Sequence, residues 1–270
     1  MLRTGTETID HFLFLFMEND YLRVEFLPEI GAKMIRLQHK KTGRQFLLEP
    51  QNQDKNYHRP FYGANFESYD TSGFDDCFPT VSASPYPHLP DNKELSFPDH
   101  GELWSIPWKY NIEHNHIAFS CDGHQFPYHF EKHIELNDNV ISIFYRVQNL
   151  SENDFYYLWS AHPLLQVEPG DQLIFGEKIS SVFLNWSSED RIGKYGDILK
   201  WPCFNINGNG VIPVAILGSA DIDVLDIKTD ETLSFNGLQV RVRGKKGPLC
   251  SIENSNGDEF LDLVCHFEDD

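Results

Sequence analysis

The sequence predicts an all-β protein, a large antiparallel β-sandwich with few short helices, formed by one domain over residues 1–270. Short segments of strand composition recur between turn signals along most of the chain. Aromatic residues make up 14% of the sequence, and aromatic and β-branched side chains favour sheets. No stretch keeps the apolar spacing of an amphipathic helix for three turns, and no linker-like or low-complexity tract divides the chain.

The N-terminal part predicts a meander of short strands. The apolar run at residues 12–17 is far shorter than the roughly 20 residues of a membrane helix, and it indicates a buried strand. Alternating apolar and polar side chains predict the strands that follow, at residues 21–27, 33–37 and 45–48. The Asp10 and Glu7 that precede the first run also differ from the basic start of a signal peptide.

The same pattern continues beyond the middle of the chain, with strands predicted at residues 130–136, 140–147, 155–159, 173–175, 211–217 and 238–242. Residues 65–101 differ, because they are rich in Pro, Ser, Tyr and Asp and show little periodicity. Connections of that length are usually functional or disordered. Their aromatic content predicts a packed loop that lines a site.

Charge and motif content exclude several classes of function. The net charge of −19 repels phosphate backbones and anionic lipid, so neither nucleic acid nor a membrane is expected as a partner. Five cysteines without a CxxC pair predict no zinc or redox site and indicate a cytoplasmic protein. Side chains of His129 and His133 would stand about 13 Å apart on one strand face, too far to share a metal ion. No metal or cofactor is therefore expected, and the oligomeric state stays open.

Three short clusters carry the residues most suited to chemistry. Residues 73–80 contain paired acids, residues 98–104 place His100 in a Gly-flanked turn, and residues 158–163 end a strand with Trp159, His162 and a proline. A tryptophan beside an imidazole offers an apolar face next to a proton donor. That combination suits sugars, whose C–H faces stack on rings while their hydroxyls take hydrogen bonds.

Simpler structural roles compete with each of these interpretations. Paired aspartates often cap turns, and most of the twelve histidines must be surface or packing residues. Trp104 and Trp159 belong to a residue type that more often fills a core than binds a ligand.

Six motifs taken in order give a more specific hypothesis; they lie at residues 18–22, 27–34, 42–47, 76–80, 99–104 and 159–163. In this order they resemble the aldose 1-epimerase (galactose mutarotase-like) family, most closely its bacterial mutarotase-related branch, over residues 18–225. The resemblance implies an antiparallel β-supersandwich fold. It also implies a small-molecule sugar as ligand and interconversion of the α and β anomers of an aldose without a cofactor.

The resemblance also implies roles for single residues. His162 corresponds to the acid that protonates the ring oxygen, and His100 to a second active-site histidine. Asp76, Trp159 and Trp104 are expected among the substrate-binding residues. Ring opening needs a proton on O5 while another leaves O1, and an imidazole near its reference pKa of about 6.5 can supply the acid near neutral pH.

The family's glutamate base has no clear counterpart. The nearest candidate is Glu253, where Asn254 replaces the family's proline; in another alignment residues 260–266 form the late strand, and the chain stops before the glutamate. Without Glu253, the carboxylate would come from elsewhere, for instance Asp76, or the protein would bind sugar without turnover. The alternatives are therefore a non-catalytic carbohydrate-binding protein of the same fold and, less favoured, a metal-dependent isomerase. The identity of the sugar and any phosphate on it stay open.

Overall fold

The computed structural model describes residues 1–9, 11–52, 54–87, 95–166, 172–175, 181–187, 190, 193–200, 203–205, 211–213, 223–227, 239–243, 249–257 and 260–268. Beyond residue 166, side chains are described only at 190 and 193–200. The chain divides into two compact units, Met1–Gln166 and Val167–Asp270. The single domain expected from the sequence stays a prediction.

The first unit is built from strands in the described part of the chain, and they are β1 (Arg3–Ile9), β2 (Phe12–Glu18), β3 (Leu22–Leu27), β4 (Lys33–His39), β5 (Phe74–Cys77), β6 (Ser84–Pro85), β7 (Ser96–Phe97), β8 (Lys109–Ile112), β9 (His116–Asp122), β10 (Tyr128–Asn137), β11 (Val140–Asn149) and β12 (Ser160–Pro163). One antiparallel sheet has the order β1-β2-β3-β4-β5-β12. A second antiparallel sheet contains β8-β9-β10-β11, and β6 pairs with β7 in a small ribbon.

The core of the first unit lies between these two sheets. Alternate residues of β10 are buried, as expected for a strand with one face on a core. Phe26 of β3 meets Phe119 of β9 across the interface, with ring centroids 5.3 Å apart. Asn137 pairs with Val140, so Asp138 and Asn139 form a two-residue hairpin turn, with φ of 48° at Asp138. The sequence Asn-Asp-Asn at residues 137–139, between the predicted strands 130–136 and 140–147, is typical of such a turn.

Strand β5 is one of the strands that sequence patterning failed to predict; with β6 and β7 it lies inside the segment 65–101 expected to be a loop. Its sequence, Phe-Asp-Asp-Cys, has two acids in four residues, yet all four residues are buried. Each acid has a buried ammonium partner, Lys33 for Asp75 and Lys132 for Asp76. A buried charge is tolerated only beside its partner. A pattern of hydrophobicity does not show where that partner lies, so it cannot predict that these acids are buried.

Two predicted strands in the first unit are not present. Residues 45–48 make only isolated bridges, Gln38 with Gln45 and Leu47 with Leu165. Residues 155–159 are irregular, and strand β12 begins only at Ser160. In this irregular segment Phe155 and Tyr157 pack their rings against Phe78, 6.0 and 5.1 Å away between centroids. Ring packing, rather than a strand ladder, explains their aromatic composition.

The second unit is also antiparallel in its described strands, which are β13 (Gln172–Phe175), β14 (Ser181–Ser187), β15 (Ile198–Lys200), β16 (Cys203–Asn205), β17 (Val211–Pro213), β18 (Asp223–Ile227), β19 (Gln239–Arg243), β20 (Leu249–Gly257) and β21 (Phe260–Glu268). Neighbouring strands follow the orders β13-β19-β20-β21, β15-β14-β18 and β16-β17. The predictions at 173–175 and 238–242 coincide with β13 and β19, except for residue 238, which lies outside the described residues. Residues 214–217 of the predicted strand 211–217 lie outside them as well.

In the described residues, 3₁₀ structure occurs in the short turns Phe66–Ser68 and Leu103–Ser105 and at Asp190. Over that part of the chain, no helix has the length and apolar character needed to cross a bilayer. The expected fold class, all-β and antiparallel with few short helices, is confirmed.

Candidate active site

The candidate site is framed by the antiparallel pair of β5 and β12. In this pair Asp75 lies opposite His162, and Asp76 lies opposite Ala161. Because side chains alternate along a strand, Asp75 and His162 share one face of the sheet and Asp76 lies on the other. Strand β12 therefore places His162 on the same sheet face as Asp75, while Asp76, the next residue, lies on the other face.

A tight turn at residues 98–101 presents His100. The Gly101 N–H donates to Pro98 O at 3.0 Å, and the Glu102 N–H donates to Phe78 O at 2.7 Å. His100 and Gly101 both have positive φ, 56° and 76°. A Cβ on residue 101 would lie 2.2 Å from Phe78 O, so only glycine permits this approach to the end of β5. The turn is therefore tied directly to the strand that faces His162.

Asp99 and Phe66 hold the His100 ring in place. One carboxylate oxygen of Asp99 lies 2.9 Å from His100 Nδ1, and the other accepts the Phe66 N–H at 2.9 Å. The Phe66 ring stacks on His100 with centroids 4.3 Å apart and planes 18° from parallel. A carboxylate at Nδ1 fixes the proton there, so Nε2 of a neutral His100 keeps its lone pair.

The structure brings the two predicted histidines together. The ring centroids of His100 and His162 are 5.3 Å apart, with their planes at 74°. Phe66 also meets His162 edge to face, 5.4 Å away. Side chains from three separate stretches of sequence therefore form one compact cluster, in which His100 stays partly accessible with 22% of its side chain exposed.

His162 lies in a less polar environment than His100. Its Nδ1 is buried and has no hydrogen-bond partner among the described residues. Burial, followed by the charges of His100 and Lys33, lowers the pKa of His162 to about 4. This value corrects the expectation of an imidazole near its reference pKa of about 6.5, since His162 is neutral at pH 7.

A buried charge cluster lies on the same face of the sheet. Lys33 Nζ is 2.7 Å from Asp70 Oδ2 and 3.1 Å from Asp75 Oδ2, and the Ser72 hydroxyl also donates to Asp70. Burial, together with the charges of Asp70 and Asp76, raises the pKa of Asp75 to about 7 even though Lys33 opposes the shift. One ammonium thus serves two carboxylates.

Asp76 and Trp104 occupy core positions rather than a surface that a sugar could reach. Asp76 is fully buried and pairs with Lys132 at 2.8 Å; that ammonium also donates to Ala32 O. Trp104 is 2% exposed, and its indole N–H donates to Asp99 O at 3.0 Å. Trp104 therefore supports the His100 turn from beneath.

Two predicted residues remain, Trp159 and Glu253. Trp159 is half-buried and packs against Tyr145, with ring centroids 4.7 Å apart. Glu253 lies on β20 of the second unit, opposite Gln239 and Val264, and its side chain lies outside the described part of the structure.

Phe66 and Lys33 are site residues that the sequence did not reveal, since nothing in their local patterns distinguishes them from core and strand residues. Asp99 carried a weak signal, because an acid directly precedes His100 in a turn.

A cavity of about 650 Å³ is formed mainly by the irregular segment that precedes Phe66, and it is lined by Asn52, His58, Arg59, Phe61, Ala64, Asn65, Ser68 and Tyr69. Its wall residue Tyr69 packs on Trp104, 5.7 Å between ring centroids, next to the His100 turn. Among the described residues, no group of three or more His, Cys, Asp or Glu side chains could hold a metal ion.

Comparisons with known proteins place the chain by family and by fold. Residues 3–211 match the family described as a domain of unknown function (DUF5107). No curated protein matches the sequence.

Solved structures with the same fold have low sequence identity. A galactose mutarotase related enzyme from Lactobacillus acidophilus superposes with a TM-score of 0.60 at 13% identity, covering 97% of this chain and 84% of that chain. A putative aldose 1-epimerase from Escherichia coli K12 gives 0.53 at 12% identity, covering 98% and 87%. A galactose mutarotase-like protein from Clostridium acetobutylicum gives 0.52 at 13% identity, covering 98% and 88%. The resemblance predicted from six motifs is thereby confirmed at the level of the fold.

Proposed function

Because the chain belongs to the DUF5107 family, which is defined by a domain of unknown function, we propose its activity from the site itself. The protein interconverts the α and β anomers of an aldose by general acid/base catalysis. The observation that carries the proposal is the His100–His162 pair, with rings 5.3 Å apart on a galactose mutarotase-like fold.

The two histidines differ in the way that this reaction requires. Ring opening needs a donor at O5 and an acceptor for the O1 proton. His162 is the donor, through Nε2–H. His100 is the acceptor, because Asp99 binds its Nδ1 and leaves the Nε2 lone pair for the O1 hydroxyl. The open-chain aldehyde then rotates about C1–C2, and the same two groups close the ring on the other face.

Asp99 also supports the charge that develops during the step. When His100 takes the O1 proton it becomes an imidazolium, and the carboxylate 2.9 Å from Nδ1 stabilises that cation. This Asp99–His100 pair combines orientation with charge stabilisation. No covalent intermediate is part of the proposed reaction.

Glu253 remains the base expected from the family resemblance, and two variants separate it from His100. His100→Gln abolishes the exchange if His100 is the base, whereas Glu253→Gln then keeps the exchange. The opposite result assigns the role to Glu253.

The proposed ligand is a small neutral sugar. The net charge of −19 disfavours anionic ligands over the molecule as a whole. The test is NMR exchange spectroscopy on a panel of aldoses, because it measures anomer interconversion directly at equilibrium. Exchange faster than the buffer rate for at least one sugar supports the proposal, and the buffer rate for every sugar contradicts it.

A non-catalytic sugar-binding protein is the second candidate. It is favoured by the low pKa of His162, since a neutral imidazole is a weak acid. Calorimetry on the same panel separates the two, because binding without any acceleration of anomer exchange supports this second function.

A further inference from the structure

A second carboxylate, Asp75, faces the proposed acid from the neighbouring strand. Asp75 and His162 are directly opposite in the antiparallel pair of β5 and β12. Directly opposite residues have Cβ atoms about 4.5–5.5 Å apart and share one face of the sheet. Asp75 is 1% exposed, so its carboxyl group can reach only groups inside the protein.

Both side chains hold buried polar atoms that no described residue satisfies. Asp75 Oδ1 and His162 Nδ1 each have no hydrogen-bond partner among those residues. An unsatisfied buried polar group costs about 1–3 kcal/mol, and one hydrogen bond between these two atoms would satisfy both. The structure has no bond between these two atoms, so the hydrogen bond requires rotation of the Asp75 carboxyl group or of the His162 ring. Their positions opposite each other on one sheet face allow it.

We infer that Asp75 is the positioning residue of His162: the O–H of its carboxylic acid donates a hydrogen bond to the Nδ1 lone pair and thereby holds the ring as the Nε2–H tautomer. The pairing is a property of the protein itself. Its use as a proton relay rests on the proposed function.

The surrounding charges determine which partner carries the proton. Lys33 from β4 is 3.1 Å from Asp75 and already neutralises Asp70, which precedes β5. Asp76 lies on the opposite face with its own partner, Lys132. On the other side of His162 are His100 and, behind it, Asp99.

These groups favour a neutral pair. The Lys33 and His100 charges oppose a second cation on His162, while Asp70 and Asp76 oppose a second anion on Asp75. The pKa of Asp75 is raised to about 7 and that of His162 is lowered to about 4, so between these values the proton belongs to the carboxyl group.

The relay balances every proton. As His162 gives its Nε2 proton to O5 of the sugar, Asp75 gives its own to Nδ1, so the ring stays neutral and Asp75 becomes a carboxylate. His100 takes the O1 proton in the same opening. Ring closure on the other face reverses all three transfers and restores the starting state.

The test is a ¹⁵N NMR titration of the His162 ring between pH 5 and pH 9 in the full chain. In wild type, Nδ1 should report a transition near pH 7 while the ring itself stays neutral. Asp75→Asn should remove that transition; the amide keeps nearly the same volume and still has an N–H for Nδ1. A ring insensitive to pH over this range in wild type would overturn the inference, as would a transition that persists in Asp75→Asn.

Asp99→Asn is the matched control, because it removes the carboxylate beside the other histidine. It should alter the His100 ring signals and leave the His162 transition in place. If Asp75→Asn does not fold, the infrared band of a protonated buried carboxylic acid in wild type gives the same answer. That band must disappear as the pH rises through about 7, and its absence at pH 6 would contradict the pairing.

Activity supplies a separate readout. With the relay, anomer exchange in wild type falls as pH rises above about 7. Asp75→Asn lowers the rate by about 10²-fold and loses this alkaline limb. An NMR transition without any anomer exchange would support the Asp75–His162 pair and reject the proposed function. Anomer exchange without the NMR transition would support the proposed function and reject the Asp75–His162 pair.

Discussion

Phe66 lies flat against His100, with ring centroids 4.3 Å apart, and the same carboxylate holds both residues. Asp99 accepts the Phe66 N–H through one oxygen and faces His100 Nδ1 with the other. The 3₁₀ turn at Phe66–Ser68 and the turn at residues 98–101 are therefore joined at one side chain. The Asp99 carboxylate therefore sets the orientation of His100, and removing that carboxylate should change the orientation.

Asp99→Ala is expected to destabilise the protein and impair the site together. The Phe66 N–H loses its charged acceptor, and a hydrogen bond to a charged group contributes about 1.5–3 kcal/mol. His100 also loses the partner that sets its tautomer. Chemical denaturation measures the first effect and anomer exchange the second. Unchanged ¹⁵N shifts of His100 in Asp99→Asn would contradict this assignment.

Gly101→Ala should be much more destabilising than the same change at Gly43. Both glycines have positive φ, 76° and 74°, so both variants have the same backbone strain. At residue 101 the new Cβ would also lie 2.2 Å from Phe78 O, whereas at residue 43 nothing lies within 4 Å. Thermal unfolding of the two variants isolates the close approach. Equal melting temperatures would show that the turn can move away from β5.

The buried pair of Asp76 and Lys132 predicts a strongly non-additive double-mutant cycle. Asp76→Ala leaves the Lys132 ammonium buried without its carboxylate and should cost about 3–5 kcal/mol of unfolding free energy. Lys132→Met in the Asp76→Ala background should recover much of that loss. Asp20→Ala is the surface control; its carboxylate is 85% exposed, and its loss should change stability by less than about 1 kcal/mol. A loss of less than about 1 kcal/mol of unfolding free energy in Asp76→Ala would contradict the buried pair, because losses of that size are typical of solvent-exposed pairs.

Stability should depend on pH through His162 and Asp75 with opposite signs. The pKa of His162 is about 4 when folded and about 6.5 when unfolded, so between these values the unfolded chain binds more protons and stability rises with pH. The pKa of Asp75 is about 7 when folded and about 3.9 when unfolded, so its contribution to stability falls as pH rises.

Single variants separate these two contributions. Relative to wild type, His162→Gln should gain stability as pH falls from 6.5 to 4, and Asp75→Asn should gain stability as pH rises from 4 to 7. Denaturant titrations at several pH values provide the measurement. Parallel curves for wild type and either variant would mean that the corresponding group does not titrate as described.

Much of the fold could be predicted from sequence because its strands alternate or are continuously apolar. The runs at residues 12–17 and 130–136 lie within β2 and β10, and the Asp-Asn turn joins β10 to β11. Strand β5 could not be predicted in this way. Its two acids are compatible with burial only through lysines 42 and 56 residues away in sequence, and no local pattern encodes that distance.

The candidate site could be predicted in part, where its residues carry local sequence signals. His100 and His162 carry local signals, a Gly-flanked turn and a strand end before proline, and the structure brings them together. Neighbours of this pair such as Phe66 and Lys33 carry no such local signal. Burial lowers the pKa of His162 most, followed by the charges of His100 and Lys33. These surroundings come from tertiary packing, so the low pKa of the imidazole could not be anticipated from its sequence context.

The most direct test of the central claim is anomer exchange measured by NMR for wild type, His100→Gln and His162→Gln with the same sugar. The account predicts exchange above the buffer rate in wild type and a loss of about 10²–10⁴-fold in each variant, with both variants still folded. Exchange at the wild-type rate in either folded variant would contradict the claim that this histidine pair performs the chemistry.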